Sequence, residues 1–177
     1  MDKKYFILFA IMINSIIIAQ NLTANELIAL RKLSVVELEE KLINKGWEYY
    51  SSKNNPNFLN RITFTYNKSE YNDKAESFIT YFWENSNSTS NQVSVQIHEK
   101  RKYLEYLNKV KSFKPKLIKS DVNSNGIKKI YQGATTTYIF QIENIEEENV
   151  LYNSISKKSF YSLEILSNLY YNYTNNK

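Results

Sequence analysis

The spacing of apolar residues changes several times along this chain, and each change marks an element. Between Thr23 and Leu33 the residues Leu27, Ile28 and Leu30 recur at helical spacing, with Thr23 or Asn25 placed to cap the start. Ser34 opens a second periodic run, Val35–Lys45, in which Leu38 and Leu42 share a stripe. Glu37, three residues after Ser34, completes a capping box, and Gly46 after the last periodic residue is a left-handed stop.

Beyond Gly46 the period falls from 3.6 to 2. Trp47–Ser51 reads as a strand and Asn54–Asn57 as a turn. Arg61–Tyr66 alternates with Ile62, Phe64 and Tyr66 on one face. Ala75–Trp83 becomes apolar on both faces towards its end, as a covered strand does. The polar link Asn85–Asn91 leads into Val93–Ile97, which alternates again. Strands joined in succession by polar links predict an antiparallel meander.

The order then repeats. Glu99–Phe113 is helical, with Tyr103, Leu104, Leu107 and Val110 on one side. Lys116–Ser120, Ile127–Tyr131, Ala134–Ile142 and Ser159–Leu166 read as strands. Asp121–Gly126 separates the first two as a turn, and Glu143–Asn149 reads as a solvated acidic loop. The remainder, 168–177, reads as a flexible tail.

The expected fold class is therefore α+β: an antiparallel sheet with helices packed on one face. Residues 20–98 hold the helices and the first meander, and 99–167 a helix and the second, within one continuous domain. Leu38-x-x-x-Leu42 with Trp47 and Ser51-Ser52, set against Leu104-x-x-Leu107 with Phe113 and Ser120, is consistent with a tandem duplication. An ordinary α+β domain with two similar halves is the competing reading. Leu38, Leu42, Ile62, Phe64, Val95, Leu104, Leu107, Ile139 and Leu163 form the expected core.

Residues 1–19 follow a different rule. Lys3 and Lys4 precede the apolar run Phe6–Ile13, Asn14 and Ser15 interrupt it, and Ile16–Ala19 closes it before polar Gln20 and Asn21. This is the pattern of a secretory signal peptide cleaved after Ala19. The run is too short for the ~20 apolar residues a membrane-spanning helix needs, so the mature chain is expected not to span a membrane and to be periplasmic or secreted.

Composition narrows the chemistry. The formal charge is +5 for the whole chain and +4 after removal of 1–19. The basic residues are spread along the sequence, with Lys100-Arg101-Lys102 the densest group, so no nucleic-acid footprint is expected. There is no cysteine, hence neither disulfide nor lipid attachment. Three glycines (Gly46, Gly126, Gly133) leave no glycine-rich phosphate loop.

His98 is the only histidine, and Glu99 beside it points to the opposite face if the strand continues. Neither a general base nor a zinc, copper or haem site follows from it. Glu143–Asn149 lacks the alternating acids and central glycine of a calcium loop. Glu76 and Glu84 share a face but lie roughly 26 Å apart at about 3.3 Å per residue, too far to flank one glycosidic bond. No catalytic, metal or cofactor residue is assigned, and the expectation is a protein that is not an enzyme.

What remains is a surplus of aromatics: 15 Tyr, 9 Phe and 2 Trp. Tyr49-Tyr50, Tyr81-Phe82-Trp83 and Tyr170-Tyr171 are consecutive, so on a strand one of each set must leave a one-sided core. Tyr49, Tyr50, Tyr81, Trp83 and Tyr138 are the candidate partner-binding residues on an aromatic sheet face.

The junction Ile18-Ala19-Gln20 is similar to the cleavage region of exported proteins of Bacteroidota. Asn72–Phe78, Lys45–Trp47 and Tyr131–Tyr138 resemble uncharacterised exported proteins of that phylum. This resemblance spans most of the mature chain and implies export, with no activity to carry over. The outline of tandem helix-plus-meander units is separately similar to the secreted beta-lactamase inhibitor proteins. Those contain disulfides and this chain cannot, so that likeness is one of architecture. The expected function is an exported, non-enzymatic module binding a protein or cell-envelope component. An inhibitor or immunity-type protein, and a hydrolase with an unrecognised carboxylate site, are the alternatives.

Overall fold

The computed structural model describes residues 22–56, 58–71, 74–85, 88–97, 99–149 and 154–175. The expected signal segment 1–19 and His98 lie outside them. Thr23 and Ser34 start two short helices, α1 (Ala24–Leu30) and α2 (Val35–Ile43), each through a complete capping box. In the second, the Glu37 N–H donates to the Ser34 hydroxyl at 3.3 Å, and the Ser34 N–H donates to the Glu37 carboxylate at 2.8 Å. Two otherwise orphaned donors of a helix start are thereby satisfied. Gly46, at φ +78, turns the chain from α2 into the sheet.

Eight antiparallel strands follow: β1 (Trp47–Lys53), β2 (Asn60–Lys68), β3 (Ala75–Trp83), β4 (Gln92–Ile97), β5 (Lys116–Asn123), β6 (Gly126–Gln132), β7 (Thr136–Asn149) and β8 (Ser154–Ser167). Helix α3 (Lys100–Ser112) links β4 to β5, and α4 (Asn168–Asn175) follows β8. The spatial order is β1-β2-β3-β4-β8-β7-β6-β5. Two four-stranded meanders thus meet at their last strands, with Val95 opposite Leu163 and Val93 opposite Ile165. The fold is α+β, and both halves present helix first and meander second.

Alternation decides the two faces of the sheet. Ile62, Phe64, Ile79, Tyr81, Val93, Val95, Tyr138, Phe140, Leu163 and Ile165 point to the face covered by α1, α2 and α3. Against them the helices bury Leu27, Leu30, Leu38, Leu42, Tyr103, Tyr106, Leu107 and Val110. Two buried tyrosines tie the layers together. Tyr106 of α3 donates to the Leu22 carbonyl at 2.8 Å, and Tyr81 of β3 donates to the Leu33 carbonyl at 2.6 Å.

The structure departs from the expected elements at identifiable places. Leu104 is 41% exposed, because the buried stripe of α3 runs through Tyr103, Tyr106, Leu107 and Val110, about 100° around the helix from it. Ile139 is buried, but on the other face: it clusters with Ile130 and Leu166, against which Tyr170 and Tyr171 of α4 pack. The expected tail is therefore largely a helix. The helices also do not all share one face. Within 143–149 the expected loop is strand, since β7 runs to Asn149 with Glu146 in register with Lys157 and Ile145 with Lys158. Pairing in the ladder satisfies backbone N–H and C=O groups that a loop would leave to water. The expected turn at Asp121 shrinks to Asn123–Gly126, where the Asn123 side-chain oxygen accepts from the N–H groups of Asn125 and Gly126.

One contact between the helices makes stability depend on acidity. The Glu26 carboxylate accepts from Lys45 at 2.8 Å and from the N–H and hydroxyl of Thr23, both at 2.8 Å. Lys45 first, then Thr23, hold its pKa down to about 2. The folded value lies below that of an unfolded glutamate, about 4.3. The stabilisation is therefore complete above that value and lost as pH falls from there towards 2. Glu26→Gln should flatten acid unfolding across that window when followed by circular dichroism. A superimposable acid-unfolding curve would exclude the coupling.

Candidate functional site

The five tyrosine and tryptophan candidates do not share a surface. Tyr81 is fully buried and Tyr138 is 6% exposed; burial raises the pKa of both hydroxyls. Both face the helix layer, so neither can anchor a partner. Their strands carry aromatics inward because β3 and β7 lie inside the sheet, where the helix-covered face takes every second side chain. Tyr49 and Tyr50 are 55% and 39% exposed on edge strand β1. Tyr49 meets Phe64 edge-on at 6.4 Å, while Tyr50 meets Phe78 of the opposite sheet face at 5.7 Å under the Lys68 ammonium. They point apart.

Trp83, the last residue of β3, is half-buried. Its ring stacks on Tyr81 at 6.1 Å with planes 22° apart, and its indole N–H donates to the Asn85 side-chain oxygen at 3.1 Å. The indole is thus fixed in place at the end of its strand. Around it the β1–β2 connection brings Phe58, Leu59 and Asn60, and α4 brings Tyr170 and Tyr173. Together they line a groove of about 1030 Å³ at one end of the molecule. Asn60 braces the connection by accepting the Asn55 N–H at 3.0 Å. Glu84 forms part of the lining and accepts the Ser90 hydroxyl at 3.1 Å.

Of the expected candidates only Trp83 lies in this groove. Tyr170 and Tyr173 were legible as one face of a helical turn, being three apart, had the segment after Ser167 been read as helix. Phe58 and Asn60 carry no local signal, because the loop geometry alone places them opposite α4.

Chemically, the groove offers flat aromatic surfaces beside carboxamides and one carboxylate. Among the described residues no group of three or more His, Cys, Asp or Glu side chains could hold a metal ion. The most perturbed carboxylate of the sheet's second face, Glu164, lies elsewhere, between Ser94 and Ile139 in register; burial raises its pKa against the pull of Lys128. No described helix is long and apolar enough to cross a membrane. The chain matches no protein-family model, no curated protein and no solved structure.

Proposed function

We propose that this is an exported, non-enzymatic binding module of the periplasm or cell envelope, and that it takes an envelope saccharide chain in the groove between the β1–β2 connection and α4. The supporting observation is the gathering of Trp83, Tyr170, Tyr173 and Phe58 with Asn60 and Asn85 around one groove. Aromatic faces pack on the CH surface of a sugar ring, and carboxamides both donate to and accept from its hydroxyls. Concave sites of this kind combine an apolar lining with a few polar groups that set orientation. Compared with the expected aromatic sheet face, the site keeps Trp83 and replaces its neighbours.

Co-sedimentation of the mature protein with purified peptidoglycan sacculi, and titration with a soluble envelope polysaccharide, test the reading. Binding to at least one is expected, with a loss of tenfold or more in Trp83→Ala/Tyr173→Ala, since paired aromatic anchors contribute about 2 kcal/mol or more. Failure to bind either material, or equal binding by the double variant, would reject it. Intact mass of the envelope-derived protein should show a chain starting at Gln20 or Asn21. Tight capture of one soluble protein with no saccharide binding would favour the inhibitor alternative. Turnover lost in Glu84→Gln would favour the hydrolase.

A further inference from the structure

Strand β5 ends the sheet on the side opposite β1, and no described element pairs with its outer side. Every second residue of such a strand turns its backbone N–H and C=O away from the sheet. A free ladder edge is a template for another strand, and proteins ordinarily blunt it with short length, proline or unpaired charge. This edge is eight residues long, Lys116–Asn123, and contains no proline. Leu117 and Val122 are 48% and 72% exposed, and Ile118 is exposed as well. The apolar side chains left to solvent are thus concentrated on one strand.

The helix layer explains why. Leu117 lies opposite Tyr131 and Val122 opposite Ile127, so both point to the face that carries α1, α2 and α3. Helix α3 packs over β4 and β8 at the middle of the sheet, and β5, three strands further out, is left uncovered. On the other face of β5 the Lys119 ammonium sits 3.1 Å from the Asp121 carboxylate.

The sequence of β5 is self-complementary about Ser120. In an antiparallel pairing of two copies centred there, Lys119 of each strand lies opposite Asp121 of the other. Centring on Lys119 instead would set two ammoniums face to face, and centring on Asp121 two carboxylates. Opposite charges across a strand pair stabilise it and like charges destabilise it, so one register is selected. That register also brings Leu117 and Ile118 of each strand towards Val122 of the other. A two-fold axis through Ser120 makes the contact isologous and closed at two copies, whereas β5 on β1 of another copy would run head to tail without closing.

We propose that β5 is a homodimer interface, through which two copies join edge to edge about Ser120 and continue one sheet across the seam. A single strand pair buries less than the roughly 1,200 Å² of a standard interface, so the dimer is a weak one with dissociation in the micromolar range. The contact uses none of the groove residues, and neither reading depends on the other.

Sedimentation equilibrium of the purified mature protein, from low to high micromolar concentration, should show a reversible equilibrium between monomer and dimer. Lys119→Glu sets carboxylates against each other across the seam, and Asp121→Lys sets ammoniums. Each reversal acts twice, once on either side of the axis, so each variant should dimerise at least tenfold more weakly than the parent. An equimolar mixture of the two should recover the parent affinity within a few-fold, because every seam position then faces an opposite charge. If either single variant changes the circular dichroism, Lys119→Glu/Asp121→Lys restores both pairs within one chain and should dimerise within a few-fold of the parent. A monomer at every concentration, or growth beyond the dimer, overturns the proposal. So does unchanged affinity in both charge variants, a mixture no tighter than either variant alone, or a monomeric double variant.

Discussion

Phe140→Ala should remove about 3–5 kcal/mol of stability, among the largest losses any single truncation causes in this protein. The ring is completely buried and stands edge-on to Tyr103 at 5.6 Å and to Tyr131 at 6.1 Å. It therefore joins α3 to β7 and β6 at once. Truncation costs the transfer term, the cavity, and two edge-to-face contacts of about 0.5–1.5 kcal/mol each. Its neighbour provides the internal control. Ile139→Ala acts on the small cluster beneath α4 and should cost near 2 kcal/mol, the low end for a buried isoleucine. Urea unfolding monitored by circular dichroism measures both. A loss at Phe140 no greater than that at Ile139 would mean that the principal core does not run through β7.

Gly126→Ala should cost about 2–4 kcal/mol, through the backbone and not through packing. Gly126 sits at φ +151, and a methyl added there would lie 1.9 Å from the Ile142 carbonyl oxygen. That atom belongs to β7, in the sheet, and cannot step aside. The β5–β6 turn would have to pull away, releasing edge strand β5 from the register that pairs Asn123 with Gly126 and Val122 with Ile127. Amide exchange should accelerate across Lys116–Asn123 well before it does in β2 or β3. Stability within about 0.5 kcal/mol of the parent, with β5 amides still protected, would contradict the close approach.

Much of the fold was legible because strong local signals agreed with tertiary need. The capping boxes at Thr23 and Ser34, the stop at Gly46 and the period-2 runs from β1 to β4 each required one backbone state, and the sheet used that state. The misreadings have specific causes. Leu104 and Tyr106 both fit a helical stripe broadly drawn, and only the depth of the Tyr106 hydroxyl contact with Leu22 shows which side faces in. In α4 the residues Tyr170 and Tyr171 pack against Ile130, Ile139 and Leu166, partners remote in sequence. The candidate site was the least legible. Trp83 meets Tyr173 across a groove because the ends of several strands converge. No short spacing encodes such an encounter.

The strand order also sets a timetable. Because β4 pairs with β8, the strand added last in synthesis closes the middle of the sheet and not its rim. A growing chain completes its first meander early, yet the outer backbone of β4 stays unpaired until residues 161–165 emerge. During that interval an unpaired edge, with Val93, Val95 and Ile97 on its inward face, is open to capture by another chain. The seam joins segments far apart in sequence, a connection that forms slowly. A chain stopped just short of β8 would carry seven of its eight strands and still lack its centre, leaving quality control a half-built sheet to recognise.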